Sequence, residues 1–427
     1  MIYLPIEIPK REIIGKVLFA CFLASKGRSS LIFEHTFFDR YKWPYRGTYV
    51  GKNCFRDEPP SDLKWYKKQK KNYIDTFFLD DEGGIYNGDN EKDFFKVLKR
   101  RLDPSVLDGR DKIFTWGSIQ KKFYNKKKYK PKIIETGYPT FEFLSKKYQK
   151  FLKNFDNKIT GKRSNFILVN TRFCEINPKK KLENLLGDKS GQKIKKIELI
   201  SELKRSSVLL SCYVDSIYKL SNIFKNIKFI IRPHPEENSE IYDFFLGQQE
   251  NIEVIDYGPV ESWIRQSKLV ITYGCTTGLQ AMLAEKPLII YEPTELKKTK
   301  FDIPLFVNNL GQKAKNLEEL IKFINKPIIK KSSFWKKYVN PHDVSEKILK
   351  EIPLNQILNK NYLLNLFGFI ENIKIFFKTF FKFNNQIFDK EKLFDEIPML
   401  VKESSKIFNK KILYKKISQN VYEISSI

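Results

Sequence analysis

Short apolar runs alternate along this chain with longer stretches in which apolar residues recur at helical spacing. Residues 2–8 are apolar and alternating, and residues 12–24 carry apolar side chains at helical intervals until Gly27 stops them. Leu31, Ile32 and Phe33 form the next short run, so the opening predicts strand, helix and strand, the rhythm of a βαβ unit. The rhythm repeats with a strand at 75–79, a helix at 91–101, a strand at 112–116 that ends at Gly117, and a further strand at 133–137.

A lysine-rich polar stretch, 148–164, then leads into an apolar strand at 165–171, and a domain boundary is expected there. Beyond it the pattern predicts a helix at 196–224, strands at 228–231 and 252–255, a helix at 259–267, a strand at 269–272, a helix at 277–284 and a strand at 287–291. Strands that alternate with helices imply a parallel sheet covered on both faces. Continuous apolar runs such as Phe229, Ile230, Ile231 and Leu288, Ile289, Ile290 suit its interior. The expected fold class is therefore α/β, with two Rossmann-like domains at 1–160 and 161–350 and a helical Lys/Phe-rich extension at 351–427. Within the extension, 362–383 is dense in phenylalanine and leucine among lysines. An amphipathic helix docked back on the domains is one reading of it, and a helix lying in a membrane interface is the other.

Composition narrows the partners. A length of 427 residues suits two cores, and 41% hydrophobic with 30% charged residues is a globular balance. No stretch approaches the roughly 20 apolar residues of a spanning helix. The net charge of +28 attracts anions. The lysine runs at 67–71, 126–128 and 179–181 each read first as solvated faces. No RNA-binding signature, zinc-finger spacing or basic region with leucine heptads accompanies the charge, so nucleic acid is not an expected partner. An anionic donor molecule or an anionic membrane surface is. Five scattered cysteines, Cys21, Cys54, Cys174, Cys212 and Cys275, without a CxxC pair argue for reduced thiols over a disulfide framework. Pro5 and Glu7 fall where a signal peptide needs a basic start and a longer apolar run, so a cytoplasmic location is expected, with any membrane contact peripheral.

Ligands of open α/β sheets bind at the carboxyl ends of the strands, so the residues after each strand carry the chemistry. Arg232, Pro233, His234 and Pro235 follow one predicted strand and offer a cation and an imidazole stiffened by prolines, which suits a phosphate. Tyr273, Gly274, Cys275, Thr276, Thr277 and Gly278 lie between the next strand and helix, where free N–H groups, the helix dipole and two hydroxyls would also seat a phosphate. Each has a plainer reading: threonine is a common helix N-cap, and a histidine in a proline-rich turn can serve the backbone alone. Asn170 and Thr171 end another strand, where they either touch a nucleotide or cap the next segment. Asp80, Asp81, Glu82, Gly83 and Gly84 read as an acidic site or as an ordinary turn. Of the three histidines, His35 and His342 stand alone and read as structural. Without clustered carboxylates at ligand spacing, no metal and no cofactor is expected.

Taken together these segments resemble a known family. Leu4, Pro5, Ile6 and Glu7 with Arg11 and Glu12, then Asp80 to Gly83, Thr136 to Phe141, Ile167 to Thr171, Arg232 to Pro235, and Thr276 to Ala281 with Lys286 and Pro287 carry the likeness, over about 4–291. The chain resembles bacterial surface carbohydrate biosynthesis proteins, which are related to GT-B-type capsule glycosyltransferases, the Kdo and sialic acid transferases among them. That resemblance implies parallel sheets facing a central cleft, with an acceptor-side domain first and a nucleotide-sugar domain second. Bacterial sialyltransferases and polysialyltransferases of this architecture share an acidic-acidic-glycine motif, an HP motif and a Ser/Thr motif. Asp81-Glu82-Gly83, His234-Pro235 and Thr276-Thr277 are similar to these.

The resemblance implies Asp81 as the base on the acceptor hydroxyl and His234 as the group that contacts or protonates the departing phosphate, roles that this chemistry requires. It implies Arg232, Pro235, Gly274, Thr276, Thr277, Asn170, Thr171 and Glu285 on the donor side, Glu285 at a ribose position, and Glu7, Arg11, Glu82 and Gly83 on the acceptor side. One departure stands out: the family reads Gly-Asn-Pro-Arg where this chain has Gly137, Tyr138, Pro139 and Thr140. The expected activity is metal-independent transfer of a sugar from a nucleotide-activated, CMP-linked donor to a surface-glycan or lipid-linked acceptor. Transfer of polyol phosphate from a CDP-linked donor and a non-catalytic scaffold of a polysaccharide-assembly complex are the alternatives.

Overall fold

The computed structural model describes residues 1–34, 46–52, 60–71, 74–81, 91, 94–95, 98–99, 102, 104–179, 196–293, 306–330, 333–353, 396–418 and 421–426. The chain divides into two compact units, one made of Met1–Gly83, Phe95–Phe155 and Lys336–Ile427, the other of Gly84–Phe94 and Asp156–Trp335.

In the first unit, strands β1 (Ile2–Ile6), β2 (Ser30–Glu34), β3 (Gly47–Gly51), β4 (Ile74–Leu79), β5 (Lys112–Thr115) and β6 (Lys132–Glu135) are parallel. The first three are buried at every position, the mark of a sheet covered on both faces. The helix Pro9–Ser25 is apolar almost all round and is buried along nearly its whole length, as such a helix must be. Gly15 lets it approach Thr140, whose hydroxyl would lie 1.9 Å from any added Cβ. The expected helix at 91–101 is helical at each residue described within it: 91, 94, 95, 98 and 99.

The C-terminal extension is helical at Ile397–Ile407, which packs on Pro9–Ser25. It also supplies a hairpin absent from the sequence expectation, β13 (Ile412–Ser418) and β14 (Val421–Ser426), and β14 joins the sheet antiparallel to β2. Lysines on the edge strand mask its signal, because Leu413, Tyr414, Lys415 and Lys416 are all exposed there. The segment 362–383 lies outside the described residues.

The second unit holds β7 (Ile167–Asn170), β8 (Phe229–Arg232), β9 (Ile252–Val254), β10 (Leu269–Thr272), β11 (Leu288–Tyr291) and β12 (Gln312–Ala314), all parallel. Ile167, Val169, Phe229, Ile231, Leu269 and Ile271 pack with Tyr213, Ile217 and Leu220 of the helix Lys196–Ile223 in one core. Two buried side chains brace this unit: Arg265 grips Asp156 through two nitrogens, at 2.7 and 2.6 Å.

The strand orders fix where a ligand belongs. The first sheet runs β13-β14-β2-β1-β3-β4-β5-β6 and the second runs β12-β11-β10-β7-β8-β9. In the first, the chain leaves β1 for β2 on one side and returns to β3 on the other. In the second it leaves β7 for β8 and β9, then returns to β10 on the far side of β7. Each sheet is thus doubly wound, the Rossmann-like arrangement expected from the sequence, with its topological switch point beside its own first strand. Loops diverge at such a point and open a crevice at the carboxyl edge. Among the described residues, no helix is long and apolar enough to cross a membrane.

Candidate active site

At the switch point of the second sheet, Asn170 ends β7 level with Arg232 on β8. Its amide is 3% exposed, yet neither its nitrogen nor its oxygen has a hydrogen-bond partner. A buried amide ordinarily satisfies both atoms, so this one has an unused donor and an unused acceptor at a strand end. Around it the backbone is tied across strands: Thr272 donates its hydroxyl to the Asn170 carbonyl at 3.1 Å, and Arg172 donates to the Gly274 carbonyl at 2.9 Å. Gly274 has φ +62°, a conformation that glycine adopts without strain, and its N–H donates to Asn308 Oδ1. Thr276 precedes the helix Thr277–Leu283, but its side chain makes no capping bond. Thr277 Oγ1 is buried and also lacks a partner. The ordinary N-cap reading of these threonines is therefore not what their hydroxyls do.

Across β7 from those threonines, the HP turn is held by Glu237, a residue that sequence reasoning did not single out. Its buried carboxylate accepts from Thr171 Oγ1 (2.9 Å), Phe173 N (2.7 Å), His234 N (3.3 Å) and Tyr242 Oη (2.5 Å). Burial pushes this carboxyl up, and the four donors pull against that push. The network locks the segments after β7 and β8 together. His234 is half-buried, and its Nδ1 accepts the Glu236 N–H at 3.3 Å and lies 3.2 Å from Cys174 Sγ. With Nδ1 accepting, the neutral ring carries its proton on Nε2, where it can be donated.

Other expected donor-side residues have different partners. Arg232 is buried and spends its guanidinium on the carbonyls of Tyr257 and Gly258, bracing the chain after β9 instead of offering a free cation. Thr171 serves Glu237, and Pro235 is exposed on the turn. Glu285 is exposed with φ +55° and follows the helix Thr277–Leu283 just before β11 begins, so it sits at the amino end of the sheet, away from Thr276. Arg172 and Arg205 also bring cations near the switch point. Arg205 donates to the Tyr273 hydroxyl at 2.9 Å and lies over its ring.

At its own switch point, the first unit gathers charge that burial has stripped of water. Glu7, just past β1, pairs with Lys52, just past β3. Glu12 is buried and accepts the backbone N–H groups of Glu7 (2.9 Å) and Ile8 (3.2 Å), which secures the start of the helix Pro9–Ser25, and Arg11 stands 3.6 Å away from it. Lys16 pairs with Asp81 at 3.1 Å, and both side chains are nearly inaccessible. Burial, with the nearby Asp81 charge, pushes the Tyr138 hydroxyl up. The Tyr138 ring stacks on Trp116 at 5.2 Å, and Trp116 donates to the Asp80 carbonyl. Desolvation, with the nearby Asp81 charge, pushes the Glu12 carboxyl up. Lys16, Tyr138 and Thr140 line a small pocket with Leu4, Val50 and Leu79.

The structure thus brings Glu7, Arg11 and Asp81 into one charged cluster, while Glu82 and Gly83 lie outside the described residues. The departure at Tyr138 and Thr140 falls beside that cluster: the Tyr138 hydroxyl feels the Asp81 charge and Thr140 packs on Gly15. Lys16 could have been found from sequence, since it stands four residues after Glu12 on one helix face.

No family model matches the sequence, and no curated protein matches it significantly. Among solved structures, the chain is similar to the UDP-GlcNAc 2-epimerase of Methanocaldococcus jannaschii in complex with UDP-GlcNAc and UDP, at 13% identity and TM-score 0.47 over 82% of this chain and 98% of that one. It is similar to the UDP-GlcNAc 2-epimerase of Neisseria meningitidis bound to UDP-GlcNAc, at 12% identity and TM-score 0.46 over 82% and 99%. The wall teichoic acid polymerase TagF also matches, at 11% identity and TM-score 0.46 over 82% and 87%.

Proposed function

We propose that this chain is a glycosyltransferase that moves a sugar from a nucleotide-activated donor to a surface-polysaccharide acceptor. The observation that carries the proposal is the orphaned Asn170 amide at the second switch point, between the HP turn and the threonine segment. An amide with a free donor and a free acceptor is suited to a nucleotide, which offers both. The proton on His234 Nε2 and the hydroxyls of Thr276 and Thr277 then meet the phosphate, where negative charge grows as the glycosidic bond breaks. Arg172 takes the cationic role that the sequence suggested for Arg232.

In the same proposal the first unit binds the acceptor. Asp81, held by Lys16, is the group that accepts the hydroxyl proton. The likeness of the acidic, HP and Ser/Thr motifs to those of sialic acid and Kdo transferases favours a CMP-linked donor. The net charge of +28 favours an acceptor held at an anionic membrane surface on the cytoplasmic side.

The test offers CMP-sugars, UDP-sugars and CDP-polyols separately to the full chain with a glycan acceptor and follows release of the nucleotide. CMP-sugar turnover is expected, and His234→Ala should cut it by roughly 10²–10⁴-fold. Consumption of CDP-polyols alone would replace the glycosyl reading with polyol-phosphate transfer. Full complementation of surface-glycan synthesis by His234→Ala would leave only a scaffold role.

A further inference from the structure

Three metal-ligating side chains, one of them the His234 of the proposed reaction, converge at the HP turn. Cys174 Sγ, a ring nitrogen of His234 and a Glu236 carboxylate oxygen all lie within 4.8 Å of one another, and Nδ1 is the nitrogen facing the sulfur. Two elements bring them together: Cys174 comes from the segment after β7, His234 and Glu236 from the turn after β8, and Glu237 pins the two segments in register. A zinc ion with bonds of about 2.3 Å to sulfur and about 2.0 Å to nitrogen spans about 3.5 Å between those ligands in tetrahedral geometry. The Cys174 to His234 separation is 3.2 Å, so the pair needs only to open slightly.

The surroundings also suit a dication. Burial and the carboxylates of Glu237, Glu175 and Glu236 push the Cys174 thiol up, which argues against a free thiolate nucleophile. The same carboxylates stabilise a cation placed among them, and a cation in turn drives the thiol proton off as the metal–sulfur bond forms. The Glu236 N–H bond to Nδ1, at 3.3 Å, is long, and a metal on Nδ1 displaces it.

We propose that Cys174, His234 Nδ1 and Glu236 form a zinc-class metal site with a fourth position open to water or ligand. A thiolate, an imidazole and a carboxylate are a donor set that zinc takes readily, and three protein ligands leave one coordination position free. The ion sits on Nδ1, so Nε2 keeps its proton and faces away from the metal. The ion is then a positioning group that holds the imidazole in its donating form and welds the segments after β7 and β8. It binds whether or not the chain transfers sugar, so its test is independent of activity.

The experiment titrates the full-length, metal-free chain with Co²⁺ and records the near-ultraviolet thiolate-to-cobalt charge-transfer band, then adds Zn²⁺. One Co²⁺ per chain is expected, with a band that Zn²⁺ abolishes, that Cys174→Ser removes and that Cys212→Ser retains. Glu236→Gln, a change at an exposed residue, should weaken binding by at least the roughly tenfold that loss of even an outer-shell partner costs. No band in the unaltered chain, a band that survives Cys174→Ser, or unchanged affinity in Glu236→Gln would each overturn the site.

Discussion

Asn170 shows how one side chain can carry a functional signal that its identity does not. In the sequence it is one of many asparagines, and capping was a sufficient explanation. Only the coordinates reveal that its amide is both buried and unpaired. An unpaired buried polar group costs about 1–3 kcal/mol, so Asn170→Ala should leave the ligand-free protein as stable as the parent or slightly more so, as chemical denaturation would register. A loss above about 2 kcal/mol would mean that the amide is structural. Glu261 makes a different point. It is buried with its carboxyl pushed from 4.5 up to about 7 by desolvation, and it accepts from Gln280 at 3.1 Å. A raised folded-state value favours the protonated form, so its contribution is fully present below about pH 4.5 and is lost as pH rises through about 7. Urea unfolding at pH 5 and pH 8 should therefore show the parent losing stability relative to Glu261→Gln, by on the order of 2 kcal/mol. Parallel pH profiles would contradict this.

At the scale of elements, the strands easiest to read in the sequence are continuous apolar runs. β7, β8, β10 and β11 are four-residue strands buried throughout, and their apolar runs could be read directly. β3 reads Gly-Thr-Tyr-Val-Gly, with two glycines and too little apolar content to stand out, and β12 reads Gln-Lys-Ala at the sheet edge. Both depend on tertiary pairing that no local pattern encodes. The site was legible to the same degree: the HP turn and the threonine segment follow announced strands. Glu237 and Lys16 act through partners far away in the sequence, as does the Arg232 guanidinium. Two stability tests belong here. Asp156→Ala leaves the buried Arg265 without the carboxylate that it grips, and should destabilise the second unit by about 3–5 kcal/mol in denaturant titration. A melt within about 1 kcal/mol of the parent would show the pair to be dispensable. Truncation after residue 411 strips β14 from β2 and should make the chain associate through the bared edge, visible by light scattering; a monodisperse product would contradict this.

For the whole molecule, two doubly wound sheets each place a prepared edge at their own switch point, one rich in paired charges and the other in orphaned amide and hydroxyl groups. Charge pairing suits a polar acceptor, and unfilled donors suit a nucleotide. Nothing in the net charge of +28 distinguishes these roles, since it reports attraction to anions alone. Nucleotide recognition by the second edge is the claim on which the rest stands, and calorimetric titration of the full chain with CMP tests it most directly. One site is expected, with affinity falling roughly tenfold or more in Asn170→Ala, since the loss of hydrogen bonds to one amide costs about 1.4 kcal/mol or more. Absence of nucleotide binding in the parent, or equal affinity in the two proteins, would contradict the account.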